Sequence, residues 1–258
     1  MLWGLMVVDM GIARPRPQHA THYEQAKRDL EALARSLADS GERKLPAEDR
    51  LAAEIGFSRP TVRSALLALQ MEGKVLRLHG VGTFINHHAL DIQANLAEDL
   101  PFLEVIERVG YEARLDIVRL AEEALPAPII DRLGDLESDR GIVIDRLFRA
   151  SGVPAVLSRD YVPVQHLATP ASDLTAERST FAFFRRWAGH TIRYSVAQIR
   201  ALAAPDHVAD ALELPPGEPV LMLDHHHIDP EDRAIGATEA YVRDDIIGFA
   251  VVRAGSGL

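Results

Sequence analysis

Residues Leu45–Ile85 read LPAEDRLAAEIGFSRPTVRSALLALQMEGKVLRLHGVGTFI: two helical patterns around a glycine turn, then a glycine-punctuated alternating run. In the second pattern Val62, Ala65, Leu66 and Leu69 recur at i, i+3, i+4 and i+7, which places them on one buried helix face. Arg59 and Arg63, one turn apart, project from a different face. Gly56 supplies the positive φ that a sharp turn needs. Ser58 can cap the next helix by accepting from a free backbone N–H, and Pro60 is tolerated in a first turn whose amides lack intrahelical partners. From Lys74 the period drops to two, and Gly80-Val81-Gly82 turns the chain before Thr83, Phe84 and Ile85. The pattern predicts a helix-turn-helix closed by a β-hairpin wing, with the start of its last helix shaped to enter a DNA major groove.

Upstream, Thr21 and Glu24 form a capping-box pattern ahead of Ala26, Leu30, Leu33, Ala34 and Leu37, predicting a helix from about His22 to Asp39. Residues 1–20 read as a flexible arm. Their opening MLWGLMVV is too short to span a bilayer and lacks a basic leader, so a soluble, cytoplasmic protein with no membrane partner is expected. The absence of cysteine excludes disulfides, thiolate metal sites and cysteine nucleophiles. The net charge of −10 looks unfavourable for a DNA binder until it is divided. Residues 14–87 hold 12 Lys/Arg against 9 Asp/Glu, whereas residues 88–258 hold 16 against 28. The first part can approach phosphates and the second should be repelled by them.

The organisation expected is an arm (1–20), a winged helix-turn-helix domain (21–86), a polar linker (87–96) and a second domain (97–258). In the last, Ile142–Ala150 and Ala155–Val162 are β-rich runs joined by Ser151-Gly152-Val153-Pro154. Further strands are expected around 114–120, 192–203, 220–228 and 237–243, with helices near 100–109, 128–133 and 205–214. Phe181, Phe184 and Trp187 at i, i+3 and i+6 predict a buried face on a helix from Thr180 to Ala188. Hairpins with segregated helices imply an antiparallel-rich α+β domain.

Residues 45–85 resemble the DNA-binding module of the GntR family of bacterial transcription regulators, through LPAEDRLAAEIGFSRPTVRSAL and the wing HGVGTFI. The second half resembles the UTRA effector-binding domain of the HutC subfamily, whose fold is similar to chorismate lyase. That likeness rests on DRLFRASGVPAVLSRDYVP, LELPPGEPVLMLDHHHIDPEDRAIG and TEAYVRDDIIGFAVVR. The resemblance implies DNA contacts at Glu48, Arg50, Ser58, Arg59, Thr61, Arg63, His79, Gly80 and Gly82. One departure is Ala47, where the family usually carries a Ser cap; this weakens the helix start by about 1 kcal/mol.

For the effector, the resemblance implies a site at Arg146, Phe148, Ser158, Gly236, Thr238 and Tyr241. Sugar-phosphate-sensing relatives carry a second arginine where Phe148 stands and glutamates where Ser158 and Gly236 stand. They also have a hydroxyl helix cap where this chain has Asp99 and Pro101. Each change removes polar ligation, so the effector expected is not a sugar phosphate but a smaller or less polar metabolite, with one carboxylate on Arg146 as an option. Strand alternation puts Gly236 and Thr238 opposite Glu239 and Tyr241, so only one set can line a pocket.

His225, His226 and His227 suggest metal, but two same-face imidazoles without a placed third ligand make a weak zinc pattern. No metal and no cofactor are expected. HExxH, GxxxxGK[ST] and GxSxG are all missing, so a lyase-like enzyme fused to a DNA-binding head rests on fold analogy alone. A second domain that only dimerises is the other alternative. The expectation is a homodimeric, ligand-responsive regulator, read as a repressor, on a palindromic double-stranded DNA operator.

Overall fold

The computed structural model describes residues 22–78, 80–134 and 136–253. They form two compact units, one holding the described residues up to Glu98 together with those from Ala250 onward, the other running from Asp99 to Phe249.

The first unit contains α1 (His22–Asp39), α2 (Glu48–Ile55), α3 (Arg59–Met71), β1 (Val75–Leu78), β2 (Gly82–Ile85) and α4 (His87–Leu90). Thr21, half of the anticipated capping box, lies outside the described residues. Ala47 caps α2 without any side-chain bond, and Glu48 and Asp49 in the first turn offset this by meeting the positive end of the helix dipole. Gly56 takes the left-handed conformation, its N–H returning to the Ala52 carbonyl. Ser58 then starts α3 by accepting from the Thr61 N–H at 3.3 Å. Val62, Ala65, Leu66 and Leu69 of α3 pack with Ala26, Leu30 and Ala34 of α1, Leu51 of α2, and Val75 and Ile85 of the wing. β1 and β2 pair antiparallel from Val75↔Ile85 to Leu78↔Gly82. The segment before α2 also joins the wing, through Ile85 N–H to the Arg43 carbonyl and Leu45 N–H to the Thr83 carbonyl, both 2.9 Å.

Residues 87–96, expected as a linker, instead carry α4, and Leu90 enters the core of the first unit. The physical reason lies at Lys74, which is 1% exposed. Its ammonium meets Glu98 at 2.6 Å, Glu31 at 3.0 Å and Glu72 at 3.1 Å, and a buried charge of this kind must be paired. Asn86 and Asn95 donate to the carbonyls of Gly73 and Glu72, each at 2.9 Å, and Ala250 forms a bridge with Asn95. The segment is held to the first unit by Leu90 and Asn95, and Glu98 just beyond it enters the ion cluster.

The second unit contains α5 (Phe102–Arg108), β3 (Ala113–Ala124), α6 (Ala127–Leu133), β4 (Arg140–Ala150), β5 (Val153–Pro163), α7 (Thr180–Phe183), β6 (Tyr194–Ala203), α8 (Asp206–Leu212), β7 (Pro219–Ile228) and β8 (Ala234–Val242). Among the described residues the strands make one antiparallel sheet in the order β3-β4-β5-β8-β7-β6, giving the expected α+β architecture. α6 and α8 pack on one face, against Val143 and Tyr161 and against Leu147, Leu157 and Val220. α7 packs on the other, against Ile142, Ile144 and Val162. The aromatic pattern at Phe181, Phe184 and Trp187 is corrected here: Phe183 and Phe184 are the fully buried pair. A π-helical turn at Phe184–Ala188 shifts the phase on which a 3.6-residue period depends.

Candidate functional site

On the first unit, Arg59, Arg63 and Arg77 are held by carboxylates of α2. Arg59 Nε lies 2.5 Å from Asp49 Oδ1. Arg63 donates from Nε and Nη2 to Glu48 Oε2 at 3.0 and 2.8 Å, while Arg77 Nη2 of β1 donates to the other oxygen at 2.5 Å. The hydrogen bond from Arg63 is the largest influence on Glu48, and with Arg77's contribution it holds that carboxyl below its usual range despite partial burial. Thr61 and Ser58 share a hydroxyl–hydroxyl bond of 2.8 Å, and Arg50 is exposed on the neighbouring helix.

On the wing, Gly80 and Gly82 have φ of +72° and +134°. A Cβ at Gly82 would lie 2.5 Å from Lys44 Cε, so the glycine admits Lys44, whose ammonium stands 5.7 Å over the Phe84 ring. His79 lies outside the described residues. Of the DNA set, the structure brings Glu48, Ser58, Arg59, Thr61 and Arg63 to adjoining ends of α2 and α3. Sequence reading passed over Arg77 and Lys44. Arg77 stood in the sequence as a charged residue of the alternating run before the wing turn, on the strand face of the buried Val75, whereas Lys44 becomes adjacent only because the chain before α2 pairs with β2.

In the second unit the register places Arg146, Phe148, Ser158, Gly236 and Thr238 on the same sheet face. Tyr241 falls on the other face, among Leu147, Leu157, Val208 and Leu212, with its ring edge-on to His207. It therefore cannot join the other five.

Arg146, the option for an effector carboxylate, already faces a carboxylate of the chain itself. Its guanidinium forms an ion pair with Asp160, both side chains being 1% exposed. Burial lowers Arg146 to about 10, which leaves it cationic at neutral pH. Its Nε donates to the Glu177 carbonyl at 3.0 Å. Asp160 Oδ1 also accepts from Thr180 at 2.8 Å and from Thr238 at 2.5 Å.

His227 extends this chain, with Nε2 at 2.8 Å from Thr238 Oγ1 and Nδ1 at 2.9 Å from Ser195 Oγ. Because Thr238 gives its proton to the carboxylate, its oxygen must accept from His227, and Nδ1 must then accept from Ser195. Burial, with His225 and His226 nearby, depresses His227 to about 3, which fits this neutral tautomer. Both ring nitrogens are thus engaged in protein hydrogen bonds. His225 stacks on His227 with centroids 6.1 Å apart, and its Nε2 is buried without a hydrogen-bond partner.

Of the remaining positions, Ser158 is buried and Phe148 and Gly236 are apolar. Phe148 packs on Phe102 at 5.4 Å. A Cβ at Gly236 would sit 2.5 Å from the Phe184 ring and 2.8 Å from the Tyr161 carbonyl. Sequence reading missed Asp160, Thr180 and Ser195. The visible sign of Asp160 was a charged residue two positions after Ser158, hence on the same strand face.

Residues 108–247 match the UTRA domain, and residues 22–85 match the bacterial regulatory proteins of the gntR family. The chain is 28% identical to the HTH-type transcriptional regulator Rv0792c of Mycobacterium tuberculosis, over 96% of this chain and 90% of that protein. It is 26% identical to the histidine utilization repressor of Pseudomonas putida, over 66% and 71%. The crystal structure of the possible transcriptional regulator YydK from Bacillus subtilis superposes with a TM-score of 0.67 at 17% identity, covering 90% of this chain and 99% of that one. At that identity the likeness speaks for the fold.

Proposed function

We infer the function from one premise: the chain belongs to the UTRA-bearing gntR family of bacterial regulatory proteins. It is a DNA-binding transcription regulator with an effector-binding type of second domain. Our reading goes further: a cytoplasmic homodimer that binds a palindromic operator and acts as a repressor, as the name of the Pseudomonas relative says of that protein. Two winged helices on a twofold axis would meet two half-sites, with phosphate contacts setting register and side chains at the start of α3 choosing sequence. The observation that carries this reading is the cluster of Arg59, Arg63 and Arg77 on one exposed surface of the first unit.

The effector we propose is an uncharged or weakly polar metabolite rather than a sugar phosphate. Arg146 is already neutralised by Asp160, Phe148 stands in place of a second arginine, and Phe184 fills the space beside Gly236. Effector and operator weaken each other's binding by one common factor if the effector is an inducer.

The test is selection of an operator from a randomised duplex library, followed by gel shifts with Arg59→Ala and Arg63→Ala. Each substitution is expected to weaken operator binding by about tenfold or more; wild-type affinity in both would refute the assignment. Thermal-shift screening of phosphosugars against uncharged metabolites tests the effector class, and stabilisation by phosphosugars alone would overturn it. Turnover of any screened compound would instead support the lyase-like alternative.

A further inference from the structure

One carboxylate on this DNA-facing surface holds two arginines that come from different elements. Glu48 Oε2 takes Arg63 of α3 through Nε and Nη2, and Oε1 takes Arg77 of β1. Glu48 is 16% exposed, whereas Arg63 and Arg77 are 61% and 43% exposed. The carboxylate therefore lies beneath the guanidinium groups, and their outer edges face solvent.

A negative charge at such a place opposes phosphate binding at every sequence. What it supplies is orientation. With Nε and one Nη2 proton of Arg63 turned inward, the Nη1 and remaining Nη2 protons form the outward edge, a donor pair spaced for guanine O6 and N7. Fixing two rotamer-rich side chains before DNA arrives also reduces the ordering that binding requires.

We propose that Glu48 is a positioning residue rather than a DNA contact, and that Arg77 is a sequence-determining residue of the wing held in a common fork with Arg63. This rests on the DNA-binding reading above. Arg63 and Arg77 then read adjacent parts of one half-site, their spacing set by the shared carboxylate, and the wing contributes to sequence choice as well as to phosphate anchoring.

The experiment uses the full-length protein and measures affinity for the selected operator and for a random duplex over a range of salt. Glu48→Gln is expected to lower the ratio of operator to random-duplex affinity by about tenfold, with random-duplex affinity unchanged or raised and salt dependence at least as steep. Arg77→Lys keeps the charge and removes the fork. Selection repeated with it is expected to return a motif that has lost preference at the positions nearest the wing, with random-duplex affinity retained. A Glu48→Gln protein that merely switches preference at one base pair would show that Glu48 touches a base, and the proposal fails. Equal losses on both duplexes would make its role structural, which also overturns it, as would an unchanged motif with Arg77→Lys. Failure of the wild-type protein to enrich any duplex would refute the DNA-binding reading itself, separately from the fork.

Discussion

Glu48 and Asp160 each hold arginine, in the first and second unit respectively, under opposite conditions. The partners of Glu48 keep about half of their side chains in water, whereas Asp160 and Arg146 are sealed at 1% exposure each. An exposed pair gains little over hydration, so the outer edges of the head's arginines stay open to a phosphate or a base edge while their inner edges rest on the carboxylate. A buried pair has lost its hydration, and removing one partner strands the other in a poor dielectric. The arginines around Glu48 are therefore available to a macromolecule, while Arg146, Asp160, Thr238 and His227 at the centre of the second unit are paired with one another. Only a ligand that preserves this internal pairing fits there without a large electrostatic cost.

The largest expected break in this contrast is Asp160→Ala, which leaves Arg146 buried and unpaired. It should destabilise the second unit by about 3–5 kcal/mol, measured by urea unfolding followed through tryptophan fluorescence. Glu48→Gln under the same conditions should leave unfolding almost unmoved. Comparable losses for the two would erase the distinction.

Gly236→Ala tests how tightly the sheet face is filled. Its new methyl meets the Phe184 ring and the Tyr161 carbonyl, and such overpacking costs about 1–3 kcal/mol. A variant as stable as wild type would mean that Phe184 moves aside easily, and a larger ligand would then become admissible.

Acid sharpens the same contrast. His227 is held neutral, with its folded value near 3 against an ordinary 6.5. Below pH 6.5 the unfolded chain takes up a proton that the folded chain refuses, so its contribution is fully present above pH 6.5. That contribution is lost progressively as pH falls toward 3, at about 1.4 kcal/mol per pH unit once well below 6.5. Unfolding titrations at pH 7, 6 and 5 should show a shallower pH slope in His227→Gln than in wild type. Identical slopes would place the acid sensitivity elsewhere.

The smallest change is in the head. Ser58→Ala removes the acceptor for the Thr61 amide and should cost about 1 kcal/mol, read as a lower protection of the first-turn amides of α3 in hydrogen exchange. Unchanged protection would show that Thr61 alone keeps that turn closed.

Legibility in the sequence divides along the same line. The head was readable because each boundary is set by a neighbouring residue: Gly56 in the left-handed conformation before Ser58, Ser58 ahead of Pro60, and Gly73 after Met71. The β4–β5 hairpin was readable for the same reason, its turn resting on Ser151 and Gly152 at positive φ. The effector-side positions Arg146, Phe148, Ser158, Gly236 and Thr238 came from resemblance, and alternation alone put Tyr241 in doubt as a member of that set.

Other features depended on packing that no local pattern encodes. The helix after Ser179 changes period within itself, so Phe183 and Phe184 replace the expected aromatic face. Lys74 draws in Glu98 from beyond the anticipated linker.

The sequence by itself determined the two kinds of unit, the elements of the winged head, the α+β class of the second domain and the arginines of the third helix, since each depends on periodicity, capping or turn chemistry within a few residues. Only the tertiary structure decided which charges are engaged: Asp160 with Arg146, Glu48 with both Arg63 and Arg77, and His227 between Ser195 and Thr238. The physical reason is that the hydrogen-bonding state of a side chain depends on strand register and burial. Both are fixed by residues distant in sequence, and they decide whether an arginine in this chain remains available to a ligand.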